Sequence, residues 1–521
     1  MKRMFAWLLL LGLLCGCAPA EQPEAPGGPD GQGAGEQRPA AVENPPAPVY
    51  ADWSKLPAPE QGQVLCRQYW GEPQQELKPD GGYGTLLPYR GEELHVTTAL
   101  DGDGWDRYRY GLATAEGLVA VEPVYDGVYP LYLYREDRSG GVPLPVYVLE
   151  QTQRGEEADA RLIAVAARDG SWCTEARYTA AYAVGEERLL LIDRDGGSWF
   201  CDLRGRVTAA GLKKPVAELW GPWWKELMGI SSETVCMSDI SGSGCRLADF
   251  ESGLERYLPE VQYCSRWLAG SELAAAGDGQ RNGYLDRQGN WAIAPQYETA
   301  NEFQKGLALV RRGTDDPWQL IDRQGNPVLT FPGASVNVLQ IGEALYYLNT
   351  DADGRILGIC DAAGNQLEHP AVGGTYRNGW PMLEWLDGRG THWCWNGREA
   401  VQLPAGFRLS DAEGDLAVLQ QETEDWSGAC GAYSFGRKTW ILPPEQSVLV
   451  LLRDTVTDEV WLMDGYGGGT VWDQNGEKLF SAASLDAPAD GVFSVQSGVW
   501  TGLMNRDGEW LLRRRLQTAN D

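Results

Sequence analysis

Histidine is the scarcest chemistry-bearing residue in this sequence of 521 residues, with only His95, His369 and His392. A three-histidine metal centre would consume all of them. None stands in the strand–turn–helix context of a nucleophilic serine, and His369 precedes a proline that reads as a structural slot. Carboxylates are the opposite case, at 73 Asp and Glu. Glycoside hydrolysis needs two facing carboxyl groups, and no spacing singles out such a pair. Asp101-Gly102-Asp103-Gly104, Asp193-Arg194-Asp195-Gly196 and Asp351-Ala352-Asp353-Gly354 share an Asp-x-Asp-Gly pattern. Calcium takes roughly six to eight oxygens, but none of these stretches completes the loop with its terminal glutamate. They read as solvated turn aspartates, with Asp101, Asp103 and Asp106 as weak calcium candidates. The glycine-rich run Gly465–Gly469 lacks the lysine and following helix of a phosphate loop. No catalytic constellation is visible and no cofactor is expected.

Sulfur and aromatic rings are the remaining candidates. Of 11 cysteines, Cys15 ends an N-terminal apolar run and Cys17 follows it. The others are Cys66, Cys173, Cys201, Cys236, Cys245, Cys264, Cys360, Cys394 and Cys430. No Cys-x-x-Cys occurs, so zinc-ribbon and thioredoxin readings fail. Several sit in apparent strands, where a free thiol packs as a small hydrophobe. If a disulfide forms, Cys236 with Cys245 is the best pair. Tryptophan is abundant at 22. Trp220, Trp223 and Trp224 surround Gly221-Pro222, which predicts a loop presenting rings for recognition. Trp380, Trp385, Trp393 and Trp395 form a second concentration. The alternative for both is core between repeat units.

The elements that must position these groups repeat. Tyr110-Gly111 is followed by Gly117, Pro123 and Tyr125; Asn282-Gly283 is followed by Gly289, Pro295 and Tyr297. Gly358, Gly364 and Pro370 keep the same spacing, and Gly502 and Gly508 keep part of it. Between the glycines lies apolar-x-Asp-x-x-Gly, as in Leu285-Asp286-Arg287-Gln288-Gly289. Asp opens a type I turn and Gly takes the left-handed residue after it, which makes a hairpin. The proline is expected to end the second strand. Hairpin glycines are read at Gly117, Gly170, Gly205, Gly242, Gly289, Gly325, Gly364, Gly397, Gly436, Gly476 and Gly508, a period of about 38 residues. Trp172, Trp199, Trp291 and Trp510 each stand two residues after a glycine and are expected to pack across the hairpin or between units.

These residues resemble the WG repeat, a bacterial β-repeat family marked by an aromatic-Gly pair, an Asp-x-x-Gly turn and a Pro-x-Tyr-Asp ending. The match is clearest over 110–132 and 281–372 and fainter to 515, and a unit over 207–280 is doubtful. The resemblance implies a scaffold for recognition and brings no catalytic residue. The expected fold is all-β, built of hairpin units of about 38 residues in one or two propeller-like rings, favoured over an open β-solenoid. Asp195-Gly196-Gly197-Ser198-Trp199 is similar to the Asp-box turn of sialidase-like propellers and reads as a structural hairpin.

The N-terminus speaks to location. Lys2 and Arg3 precede the apolar run Met4–Cys15, too short to span a bilayer and suited to a secretory signal. Leu14-Cys15-Gly16-Cys17 resembles the bacterial lipobox, which implies removal of residues 1–16 and lipid attachment at Cys17. Residues 17–49 read as a tether: Ala18–Pro48 holds 8 Pro and 5 Gly and no aromatic residue. It cannot bury enough apolar area to order itself, and as a flexible chain it reaches about 30 Å. The ordered body is expected over 50–521. A net charge of -29 disfavours nucleic acid, whose phosphates need a basic face. The sequence therefore predicts a lipid-anchored, acidic, non-enzymatic module on the extracytoplasmic face of a bacterial membrane, binding a protein or a glycan. The alternative is an exported glycan-active enzyme on the same scaffold.

Cys17→Ser is expected to abolish labelling by a fatty-acid analogue and to release the protein from membranes. Labelling equal to wild type would remove the anchor assignment.

Overall fold

In Leu416-Ala417-Val418-Leu419, successive side chains point to opposite faces of a strand. Leu416 and Val418 enter one apolar core, and Ala417 and Leu419 enter another. A sheet buried on both faces must be sandwiched between two others, and that requirement organises the molecule. The computed structural model describes residues 85–515, apart from 97–104, 116, 118, 138–140, 154–159, 222–229, 239–242, 342–343, 368–370, 380–381, 424–426, 455, 458, 487 and 499.

The strands form small antiparallel meanders in which spatial order follows chain order. Among the described residues ten hydrogen-bonded sheets succeed one another, and the seven-stranded one divides into two packed halves, which gives eleven sheet layers: Leu86–Tyr125, Gly127–Ala167, Tyr178–Ala209, Thr234–Leu258, Tyr263–Tyr297, Thr299–Phe331, Ser335–Asp361, Thr375–Gln402, Phe407–Gln446, Val450–Ala482 and Ser484–Arg515. The second and third are joined at one edge through the single pairing of Ile163 with Tyr178, yet they also pack face to face around Trp172 and Leu191. Among the described residues the one helix is Val216–Trp220, between the third and fourth sheets.

A core lies between each sheet and the next. The last core joins the two ends: Val492, Leu503 and Leu512 of the eleventh sheet pack on Leu87, Tyr89 and Ala113 of the first. Polar contacts reinforce it. Thr501 Oγ1 donates to the Arg90 carbonyl at 2.9 Å, and Arg90 pairs with Asp486 at 2.8 Å and also reaches Ser484. The described succession thus closes on itself in one circuit, as the propeller-like reading expects, with no capping unit among the described residues.

Most of the predicted hairpin turns are present. Asp286 Oδ1 accepts the N–H groups of Gln288 and Asn290 at 2.9 and 2.8 Å, and the Gly289 N–H donates to the Asp286 carbonyl. Gly289 sits at φ 79°, the left-handed region that glycine enters freely. The same arrangement recurs at Asp202, Asp322, Asp361, Asp473 and Asn505. One turn assignment is corrected. At Gly436 the left-handed residue is Lys438, φ 52°. In the doubtful stretch 207–280, the fourth sheet is a full unit whose turn runs from Asp249 to Gly253, φ 74°; Gly242 lies outside the described residues.

The proline's role is also corrected. Pro295 does not end its strand but lies inside Trp291–Tyr297, the outer edge strand of the fifth sheet. Asn282 pairs with Tyr297 and Tyr284 with Ile293, so Ala294-Pro295-Gln296 bulge out opposite Gly283. Proline is tolerated at a bulge on an edge because no ladder donor is lost. Tyr110 with Tyr125 and Leu112 with Val121 repeat this register around Gly111 and Pro123. Cys430 with Gln446 and Ala432 with Leu442 repeat it around Gly431 and Pro444, a copy hidden in the sequence by one extra turn residue. The bulge pushes main chain against the facing glycine: a Cβ at Gly283 would stand 2.4 Å from the Ile293 carbonyl oxygen.

Gly283→Ala is therefore expected to destabilise by about 1–3 kcal/mol, the usual cost of overpacking. Gly388→Ala, where a Cβ meets no atom within 4 Å, is expected to change stability by less than about 0.5 kcal/mol. Thermal melts of both variants check this; equal melting temperatures would refute the bulge account.

Candidate functional site

Three strands that open their sheets are only two residues long: Tyr263–Cys264 in the fifth, Thr299–Ala300 in the sixth and Ser484–Leu485 in the eleventh. The first two belong to neighbouring sheets. A cavity of about 380 Å³ lies there, reaching from the fifth sheet to Val338 and Tyr347 of the seventh. Its floor is apolar, with Ala275, Leu309 and Leu320. Its polar lining is Tyr263, Asn301, Glu302 and Gln304.

The lining is rigidly mounted. Tyr263 pairs across to Gly277. The Asn301 carbonyl accepts the buried Tyr284 hydroxyl at 2.8 Å, and the Asn301 N–H donates to Leu309 O at 3.0 Å. Gln304 and Leu307 exchange backbone hydrogen bonds. The Tyr263 side chain is 56% exposed, while Asn301 and Gln304 are exposed beside it. Burial raises the pKa of Glu302, partly offset by Arg266. The site can thus offer an aromatic face, two amides and one carboxyl group to a polar ligand.

A second cavity of about 480 Å³ is ionic, lined by Arg135, Glu136, Asp137, Lys305, Asp322 and Arg323 among others. Here the segment after the strand Gly127–Tyr134 braces distant sheets. Glu136 is 5% exposed and accepts from the Gly306 N–H at 2.7 Å and Arg323 at 2.9 Å. Its backbone exchanges bonds with Ala269 and Lys305. Charges of opposite sign pair off within the cavity, so it serves as a strut between the second, fifth and sixth sheets.

The sequence-predicted ring cluster does not form the expected surface. Trp220 is 0% exposed, packed on Phe250 in the helix-capped core, with its indole N–H donating to Arg246 O at 3.0 Å. A helix, not a loop, carries it, because Val216, Leu219 and Trp220 share one apolar face. Trp223 and Trp224 lie outside the described residues. Trp385 and Trp395 are likewise core, and Trp380 is outside the described residues. Trp172 is buried between sheets, and Trp199 and Trp393 fold over their turns to donate to Asp193 and Asp387 at 2.7 and 3.1 Å.

Asp101, Asp103, Cys17 and His369 are outside the described residues, as are the side chains of Asp106 and His95. The other Asp-x-Asp-Gly stretches are turns: Asp193 Oδ1 accepts from Asp195 and Gly197, and Asp351 Oδ1 from Asp353 and Arg355. Sequence reasoning missed Tyr263, Asn301 and Gln304 because no motif marks them.

His392 is buried, with Nδ1 at 2.9 Å from Glu384 Oε1 and Nε2 at 3.0 Å from Glu422 Oε2. Glu384 Oε1 also accepts the Leu409 N–H. The trio joins the eighth and ninth sheets. The hydrogen bond to Glu384 raises the His392 pKa above the ordinary range, against the opposing effect of burial.

The family described as WG containing repeat matches residues 283–313, which span the bulge glycine, the Asp286 turn and the first strands of the next sheet. No curated protein matches the sequence. Among solved structures, BamB from Moraxella catarrhalis is 12% identical, over 52% of this chain and 97% of its own, with a TM-score of 0.22. AztD from Citrobacter koseri is 11% identical over 69% and 96%, with a TM-score of 0.24. The C-terminal WD40 domain of Sif2 is 11% identical over 63% and 95%, with a TM-score of 0.23. Likeness at this level carries no argument, and the fold rests on the sheet order and the cores described above. The chain contains a WG-type β repeat at 283–313, and the bulge-and-turn geometry of that repeat recurs in other sheets.

A histidine whose folded pKa is raised stabilises the fold fully below its unfolded pKa, about 6.5, and loses that contribution as pH rises through the folded value. His392→Gln is expected to cost about 1.5–3 kcal/mol in mildly acidic buffer and less in alkaline buffer. Melting curves of both proteins across that range check it; a pH-independent difference would refute the charged pair.

Proposed function

We propose that this protein is a recognition module, tethered through Cys17 to the extracytoplasmic face of a bacterial membrane, that binds a glycan at the cavity beside Tyr263. The observation carrying this reading is the composition of the cavity wall: an exposed phenol ring, the amides of Asn301 and Gln304, and the Glu302 carboxyl, above an apolar floor. Sugar rings present C–H faces that stack on aromatic rings and hydroxyls that bond to amides and carboxyl groups. The wall holds one carboxyl group, whereas hydrolysis calls for a facing pair, so the site favours holding a glycan over cleaving it. The acidic body adds no attraction for anionic polymers, which points to neutral or cationic saccharides. The Pro/Gly tether would let the body sample the space about 30 Å from its anchor.

A glycan array probed with the body, followed by titration calorimetry on the best ligand, tests the reading. Tyr263→Ala is expected to weaken binding by about tenfold or more, as for a ring at a hot spot, with little change in melting temperature because the ring is exposed. Glu302→Gln is expected to retain binding of neutral sugars and to weaken cationic ones. Saccharide binding that both variants leave unchanged, or none by the wild type, would overturn the assignment.

A further inference from the structure

Cys236, Cys245 and Cys264 come from three different strands and meet in one core between the fourth and fifth sheets. Cys236 lies within hydrogen-bonding reach of both other thiols. Cys236 and Cys245 are buried, and Cys264 is half-buried. Among the described residues no group of three or more His, Cys, Asp or Glu is arranged to hold a metal ion. The chemistry open to clustered thiols is then thiol–disulfide exchange.

Ladder constraint and accessibility distinguish the two pairs open to Cys236. Cys236 stands opposite Leu247, and Cys245 stands opposite Ser238, so the two cysteines are diagonal neighbours on paired strands. Diagonal neighbours sit roughly 7–8 Å apart between Cα atoms, beyond the usual disulfide span of about 4.4–6.8 Å. Cys236 and Cys264 lie on Thr234–Ser238 and Tyr263–Cys264, the first strands of successive sheets, with strand Cα atoms that come within 8 Å of each other; no ladder fixes the spacing of this pair, and Cys264 is the half-buried thiol that an oxidant reaches first. Their bond would cross the core between sheets without forcing the ladder of either one.

We propose that Cys236 and Cys264 form a redox-responsive disulfide that staples the fourth sheet to the fifth, with a low-molecular-weight disulfide as oxidant. Cys264, the accessible thiol, attacks the oxidant as its thiolate and releases one equivalent of small thiol, leaving a mixed disulfide. The Cys236 thiolate then attacks the Cys264 sulfur and expels the second equivalent. Two protein thiols are oxidised, one small disulfide is reduced to two thiols, and the two protein protons pass to the released thiolates. The bond closes a loop in the chain and reduces the freedom of the unfolded state. Cys264 adjoins Tyr263 of the cavity, so oxidation also fixes one wall of that site.

The full chain, reduced and then incubated with oxidised glutathione, is digested under non-reducing conditions and mapped by mass spectrometry. The expected product is a Cys236–Cys264 cross-linked peptide, two hydrogens lighter than the sum of its parts, with a rise in melting temperature. Cys245→Ser is expected to keep the cross-link, and Cys264→Ser to lose it. A Cys236–Cys245 product, a glutathione adduct on Cys264 that never resolves, or no reaction of the folded chain would each overturn the proposal. Because the readout is covalent, it stands or falls independently of glycan binding.

Discussion

Each described sheet buries apolar side chains on both faces, and that single condition governs the rest. A sheet of three or four short strands cannot bury two faces alone, so each requires a neighbour on either side. In an open stack the first and last sheets would each expose one apolar face. Here those two faces are the same interface: Tyr89 and Leu87 meet Leu503 and Val492, and the Arg90 contacts with Asp486 and Thr501 align them. Closure removes the need for polar capping units. It also makes the stability of each sheet dependent on every other, because opening one interface exposes a face at each side.

Close packing of sheets constrains the hairpins in turn. The outer strand of a unit must swing aside to let its tyrosine into the next core, as Tyr297 does beside Phe303 and Val310. The bulge around Pro295 makes that swing, and Gly283 is the residue that clears it. The aspartate turn then holds the register, since a slip of one residue would exchange the two buried faces. Glycine, aspartate, proline and tyrosine of the repeat are thus four parts of one geometric solution. This explains why the motif persists at Gly431 and Pro444 although the turn between them has lengthened.

Polar chemistry survives where this scheme is locally incomplete. The cavity of Tyr263, Asn301 and Gln304 lies at the short first strands of the fifth and sixth sheets. Between the eighth and ninth sheets, the His392–Glu384 pair occupies a position that apolar side chains take elsewhere. Between the fourth and fifth, three cysteines fill space as small hydrophobes while remaining capable of exchange. The Glu136 strut bonds loops from sheets that are not neighbours in the succession. Each of these groups depends on residues far apart in the chain, because adjoining sheets supply opposite walls.

This distance dependence divides what was legible in the sequence from what was not. Strands, Asp-x-x-Gly hairpins, the repeat period and the all-β class follow from local rules: side-chain alternation, turn hydrogen bonds, and glycine's access to positive φ. The hairpin turn can be read from Asp286 and Gly289 alone, the period from the spacing of the glycines, and both recur in the structure. The placement of Trp220 could not. Gly221 and Pro222 signalled a loop, but burial against Phe250 is a property of the facing sheet, and it turned the preceding five residues into a helix. The bulge at Pro295 was likewise misread as a strand end, because proline's lack of a donor is local whereas the register opposite Gly283 is not. Ring closure, the cavity and the cysteine cluster were decided by tertiary structure only, since each is made by side chains from different sheets whose apposition no local spacing encodes.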